Sequence, residues 1–494
     1  MEQLRYKNLK EYLKLALKIK ADNAEKIVPR GTIALLNKSY AHIINNYFIY
    51  FPLFAVLFSF LSIMWTTNWQ IGLFRSVKLF EFVLLYFYVI NIVPRGTIEE
   101  REIKGGSSKS KLFHVEQFHK LITKAKTEEF CSTWNKIFAN NIVPHGTMLK
   151  KILFIVALIG IFQSFIGITQ FLLQKSIGLF WLKESIISQS LPGIAKIIIN
   201  DHAYIRAYGL FPHPNILAGH LILSIISYVL LLRLFHVEQF KPYNKSQKNC
   251  STWNSDNENL IKFVPRGTII TKLFLIIQII ALLLTFSKSA FFGLLVALLY
   301  IKYKLHAIFV PRGTKNIKLF HVEQYKKTIL LIAISILLIF NIHAIKLIAL
   351  TDSLTERLIY LKISYESLLA NPIIGVGAGQ FVPSMAKYTN LLTWQYQPVH
   401  NVFALIINEY GIFIFIGFIF YLIKAFKNEE CSTWNRKTDA IGKSLALIHL
   451  RGALLSFLFI MFFDHYFWDI QQGQILLWLL LGLIISHQKN NQDN

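Results

Sequence analysis

A few side chains in this chain have the chemistry to move a proton or hold an anion. His400 and Asn401 stand where a polar stretch, Gln397-Pro-Val, runs into the apolar run beginning at Val402. An imidazole exchanges protons near neutral pH, so His400 is a candidate acid or base, and a histidine–asparagine pair there also reads as a helix cap. Glu409 follows about two and a half helical turns later, in apolar surroundings where a carboxylate must be paired or neutral. Arg206-Ala-Tyr-Gly-Leu-Phe-Pro-His213-Pro-Asn215 leads directly into another apolar run. Gly209, Pro212 and Pro214 force an irregular loop there, with Pro214 suited to the first turn of a helix. Arg206 and His213 could face an anionic group from that loop. Lys288 lies in Thr285-Phe-Ser-Lys-Ser289, between two apolar runs with no room for a loop. A cation at such depth either snorkels or has a partner or a task. Arg357 lies in a helically spaced segment, 354–369, that Pro372 ends; Gly375, Gly377 and Gly379 follow. No strand precedes these glycines, so they read as a tight turn where backbone approaches a ligand or another segment. Asp464 opens Asp464-His465-Tyr466-Phe-Trp468-Asp469, where it could orient a histidine or bind a hydroxyl, and whose aromatics fit an interfacial belt.

The elements that must position these residues are membrane helices. The chain is 54% hydrophobic and only 16% charged, against about 25% charged in soluble domains. Apolar runs recur near the roughly 20 residues needed to cross a bilayer, and their Ile/Leu/Phe continuity excludes the alternation of barrel strands. Spans are expected near 47–65, 71–92, 152–174, 215–233, 269–287, 289–303, 328–350, 401–424, 444–463 and 473–487. Segments 1–46, 93–151, 233–272, 302–327, 424–443 and 488–494 hold 40 of the 52 Lys and Arg and alternate as one side of that arrangement. The positive-inside bias makes that side cytoplasmic, with both ends there. The net charge of +25 is thus a topology signal, and no nucleic-acid partner is expected.

The expected fold is all-α: a polytopic bundle of about ten spans, with a large extracytoplasmic loop between spans 7 and 8. A basic N-terminal segment, 1–46, precedes the membrane region 47–487, and a short tail, 488–494, follows. In the first segment Leu9, Tyr12, Leu13, Ala16 and Ile19 have helical spacing, which suits a helix lying on the inner leaflet or a solvated basic helix. No cleavable signal peptide is expected. The extracytoplasmic segments 175–214 and 351–400 hold few basic residues but nearly all the unusual ones.

Three short peptides recur at irregular intervals. VPRGT, once as VPHGT, starts at Val28, Val93, Val143, Val264 and Val310; LFHVEQ at Leu112, Leu234 and Leu319; CSTWN at Cys131, Cys250 and Cys431. The spacing fits no solenoid or propeller. All copies fall in the expected cytoplasmic loops, 93–151, 234–268, 304–327 and 425–443, or in the N-terminal segment. They read as translated dispersed repeats inserted where loops tolerate length, and no function is assigned to them. All three cysteines belong to them, so no disulfide framework or metal site is implied.

Taken together, the motifs resemble the O-antigen ligase and polymerase family of membrane glycosyltransferases, over roughly residues 150–487. The most specific part runs from Arg357 through NPIIGVGAGQF to HNVFALIINEYG at His400–Gly411, with RAYGLFPHPNILAGH at Arg206–His220 and FSKSAFFG at Phe286–Gly293 in the expected order. One departure is Lys288, where many members carry arginine; lysine keeps the charge but lacks the bidentate fork that suits phosphate. The resemblance implies transfer of a glycan from a polyprenyl diphosphate carrier to an acceptor hydroxyl of a lipid, protein or growing glycan, outside the cytoplasmic membrane. It implies His400 and Arg357 as catalytic residues, and Arg206, Lys288, His213, Asn215, Asn401, Glu409 and Asp464 as substrate-binding. No cofactor or metal is assigned. A transporter or flippase of lipid-linked saccharides is the alternative; it would spread polar groups through the midplane and show inverted repeats.

Overall fold

Long apolar helices account for most of what the computed structural model describes, which is residues 47–95, 148–239, 269–309, 347–426 and 438–489. They are α1 (Tyr47–Ser62), α2 (Trp69–Arg95), α3 (Met148–Leu173), α4 (Pro214–Gln239), α5 (Ile269–Leu284), α6 (Lys288–Phe309), α7 (Leu347–Ala370), α8 (Val402–Phe426), α9 (Thr438–Met461) and α10 (Gln471–Lys489). One-turn helices at Phe381–Ser384 and Tyr466–Asp469 join α7 to α8 and α9 to α10. The chain divides into two units at residues 57 and 58. The described part of the first, 47–57, is an apolar helical stretch in which Tyr47 and Phe51 stack at 5.6 Å.

Stretches Tyr47–Trp65, Met148–Leu173, Pro214–Phe235, Lys288–His306, Val402–Phe426 and Ser444–Met461 are long and apolar enough to cross a membrane; Thr271–Leu284 is a shorter apolar helix. The chain is thus a multi-pass membrane protein, although the expected ten spans are not reached among the described residues. Helices α2 and α10 occupy two expected spans but are more polar: α2 carries Arg75, Lys78 and Glu81, and α10 opens with Gln471, Gln472 and Gln474. The expected span at 328–350 lies outside the described residues except for the start of α7. The N-terminal segment 1–46 and nearly all repeat copies lie outside them too; Val93–Arg95 ends α2, and Leu234–Gln239 ends α4.

Helix α4 is the centre of the second unit. Leu217, Ala218, Leu221 and Ile222 are fully buried, and α3, α5 and α9 pack around it. Small residues set the close approaches, as is common between membrane helices. Gly160 of α3 meets Ser224 of α4, Gly293 of α6 meets Ser456 of α9, and Gly482 of α10 meets Val89 of α2. Hydrogen bonds add to this where hydrocarbon would leave polar groups unpaired: Ser224 Oγ with Gln278 Oε1 at 2.6 Å, and Asn408 Nδ2 donating to Ser364 Oγ at 2.7 Å.

The all-helical expectation needs one amendment. Segment 175–214 contains a hairpin, β1 (Lys196–Ile199) paired antiparallel with β2 (His202–Ile205), Ile199 opposite His202. Asn200 and Asp201 form its two-residue turn with φ of 49° and 62°. Two successive positive φ values match the twist of a tight hairpin, and Asn and Asp tolerate them best after glycine. The three isoleucines of β1 supply the β-branched side chains that favour a pleated strand.

Candidate active site

Pro372 ends α7 as expected, and the glycines after it solve a packing problem. Helix α8 is broken at Gly411, whose φ is 74° and ψ −179°. The break withdraws the usual partners of the carbonyls at 408 and 409. The glycine turn replaces them: the Val376 N–H donates to Asn408 O at 2.8 Å and the Gly377 N–H to Glu409 O at 2.9 Å. In return the Ile412 N–H donates to Pro372 O at 3.0 Å. Gly375 and Gly411 lie so close across this seam that a Cβ on either would strike the opposite backbone. The glycines therefore approach another segment of the chain, and they lock the start of α8 to the end of α7. At that start Asn401 caps the helix, Oδ1 accepting from the Ala404 N–H at 2.9 Å, while its Nδ2 donates to Phe462 O at 3.3 Å.

His400 precedes this cap. Its ring lies parallel to that of His465, centroids 5.1 Å apart and planes 9° apart, and edge-on to Tyr360 of α7 at 6.0 Å. Tyr360 Oη donates to Gln395 O at 2.8 Å, tying the loop before His400 to α7. The Nδ1 of His400 and the Nε of Arg357 are buried and lack a hydrogen-bond partner among the described residues. Burial, then the neighbouring His465 and Arg357 charges, holds His400 down to about 4 against the pull of Asp464 and Asp469. His400 is thus a neutral imidazole with an open nitrogen.

The loop before α4 supplies the second half of the cluster. Arg206 Nε donates to Thr285 O at 2.6 Å and Arg206 Nη2 to Asn215 Oδ1 at 2.6 Å. Asn215 Nδ2 donates to Asp464 Oδ2 at 2.7 Å, linking cation to carboxylate across 249 residues of sequence. Burial lowers Arg206 to about 10, Tyr208 and Asp464 opposing, so the guanidinium stays charged. His213 accepts the Asn215 N–H on Nδ1 at 3.2 Å, which caps α4 beside Pro214. Burial and then Arg206 hold His213 near 4; Asp464 pulls the other way. The loop itself is held from α3: Gln170 Oε1 accepts the Gly209 N–H at 2.8 Å and Gln163 Oε1 the Leu210 N–H at 2.8 Å.

Arg206, His213, Asn215, Arg357, His400 and Asp464 therefore converge, with Asn401 fixing the helix behind His400. Glu409 stands apart from them. It is buried in α8, hydrogen-bonded by the Gly379 N–H and the Trp468 indole, with Arg75 and Asp469 nearby. Lys288 is exposed at the start of α6, with no hydrogen bond or ion pair to the cluster among the described residues; the turn before it meets the site at Thr285 O.

His465 and Asp469 belong to the motif that Asp464 opens but carry no assigned role there, although their four-residue separation is a helical-turn spacing that pairs side chains. His465 Nδ1 and Asp469 Oδ2 lie 2.7 Å apart. Arg75 of α2 enters the site too, a residue that no local feature of the sequence sets apart from the neighbouring Lys78 and Glu81. Its Nη1 donates to Asp469 O at 2.5 Å. One group of described residues, His400, Asp464 and His465, brings ligand-type atoms within 4.8 Å of one another. Asp464 is engaged by Asn215 and by the His465 N–H at 2.9 Å, and His465 by Asp469.

Searches of curated proteins and of solved structures found no match. The family model described as O-antigen ligase matches residues 273–419, the stretch holding Lys288, Arg357, His400, Asn401 and Glu409, and it supports the resemblance to that family.

Proposed function

We propose that this protein transfers a glycan from a polyprenyl diphosphate carrier to an acceptor hydroxyl on the extracytoplasmic face of the cytoplasmic membrane. The observation that carries the reading is the neutral His400 with its open Nδ1, set among the half-buried Arg206 and Arg357 and the buried carboxylate of Asp464. The acceptor oxygen attacks the anomeric carbon, the carbon–oxygen bond to the diphosphate breaks, and its electron pair goes to the phosphate oxygen. His400 takes the acceptor proton. An arriving diphosphate offsets the cationic neighbours that depress His400, so its basicity rises when the donor is bound. Arg206 and Arg357 stabilise the charge that grows on the leaving diphosphate, in surroundings poor in water. Asn215 and Asp464 hold Arg206 and bind hydroxyls; the spans around α4 shelter the polyprenyl chain. Lys288, exposed at the head of α6, meets the lipid-borne charge as it approaches. The acceptor is a lipid, a protein or a growing glycan.

The test is transfer by membranes containing the full chain, given a polyprenyl-diphosphate glycan and acceptor. His400→Ala is expected to lose about 100-fold or more in rate. Arg357→Ala is expected to lose about 100-fold. Unchanged turnover in both variants would overturn the assignment. A flippase would instead move the donor across liposomes without forming product, and the clustering of polar groups at one end of the helices does not favour it.

A further inference from the structure

The segment between α9 and α10 contains a pair that the reaction as described leaves unused. His465 and Asp469 share a 2.7 Å hydrogen bond at Nδ1, and the backbone N–H of His465 donates to Asp464 Oδ1 at 2.9 Å. Both side chains are largely buried, His465 with 15% and Asp469 with 7% of its surface exposed. The backbone of Asp469 is anchored from α2 by Arg75, whose Nη1 donates to the Asp469 carbonyl O. The other face of the His465 ring is laid flat on His400. His400 itself has no carboxylate on its Nδ1. A proton entering this pair of imidazoles therefore belongs on His465, where Asp469 and Asp464 both attract it. A second proton on the adjacent parallel ring is opposed.

We propose that Asp469 and His465 form a positioning pair for His400: a carboxylate-held imidazolium, stacked on the proton acceptor, keeps that acceptor uncharged and fixes its plane. This rests on the reading of His400 as the proton acceptor. Arg357 from α7 and His213 from the loop before α4 face His400; Arg75 from α2 faces His465. Burial alone would lower His465, yet Asp469 by charge and hydrogen bond, with Asp464, brings it above its ordinary value. The sign follows. Removing the His465 charge makes His400 easier to protonate, so a higher pH is needed to keep it neutral. A like charge at this separation is worth about one pH unit.

The experiment uses the full chain in detergent with isotope-labelled histidine, the His400 signal being the one missing from His400→Gln. In His465→Gln the His400 midpoint is expected to rise by about one unit, and the acid limb of the transfer rate with it. His465→Lys, which restores a cation, is expected to bring both back. Asp469→Asn is expected to lower the midpoint of His465, and that result is read in place of the first if His465→Gln does not fold. A His400 midpoint unmoved in His465→Gln, or a His465 midpoint unmoved in Asp469→Asn, overturns the pair. Absence of transfer by the unaltered chain would overturn the proposed function instead, and leave both midpoints standing.

Discussion

Asn215 is the residue through which the buried cation and the buried carboxylate of the site meet. Its amide oxygen accepts from Arg206 and its amide nitrogen donates to Asp464. Both bonds involve a charged partner, each worth about 1.5–3 kcal/mol. Asn215→Asp keeps the first and replaces the second by two facing carboxylates. It is expected to lose about 10- to 100-fold in transfer rate, a range that follows from one such bond, while Asn215→Ala loses both bonds without adding repulsion. Comparing the two variants in the transfer assay checks whether the bridge or the bulk matters. Among single side chains the sequence was readable where an unusual residue stood beside a proline, as with His213 and Asn215. It was silent on Arg75, because nothing local tells a snorkelling arginine from one that reaches a backbone carbonyl 394 residues away.

The seam between the glycine turn and the break in α8 is the element that aims His400. Gly411 has a positive φ and sits against the Ile373 carbonyl, so Gly411→Ala meets both backbone strain and a clash. It is expected to cost about 2 kcal/mol or more, seen as a lower thermal midpoint of the detergent-solubilised protein. Transfer should fall too, since α8 can no longer hold the exchanged hydrogen bonds. The hairpin turn predicts the opposite sign. Asp201 holds a φ of 62° that glycine adopts without penalty, so Asp201→Gly is expected to be neutral to stabilising, by up to about 1 kcal/mol. The end of α7 at Pro372 was legible because proline acts locally. The partner of the glycine turn was not, since the broken helix that needs its N–H groups begins some thirty residues on.

For the whole molecule, the testable quantity is sidedness. The basic loops and the polar segments 175–214 and 351–400 are expected on opposite faces of the membrane. With Cys131, Cys250 and Cys431 replaced by serine, single cysteines at Ser190 and Trp394, both on exposed loops, are expected to react with an impermeant maleimide on intact cells. The native Cys250, kept alone, is expected to react only after the cells are opened. Labelling of Ser190→Cys and Trp394→Cys from opposite sides would separate Arg206 from His400 and end the proposed mechanism.

The positions of the apolar helices and the loops rich in lysine and arginine were determined by the sequence alone. Hydrophobic length, charge and the punctuation by proline and glycine act over one turn or one span, and need no neighbour to take effect. The convergence of the site was decided only by tertiary structure. Arg206 reaches Thr285 O and Asn215, Asn215 reaches Asp464, and His465 is laid on His400 because α4, α7, α8 and α9 pack at particular rotations. Those rotations depend on small residues meeting across helices, which no single segment encodes. The same packing leaves Lys288 exposed and brings in Arg75, His465 and Asp469, since a side chain's place in a site is set by the face its helix turns inward.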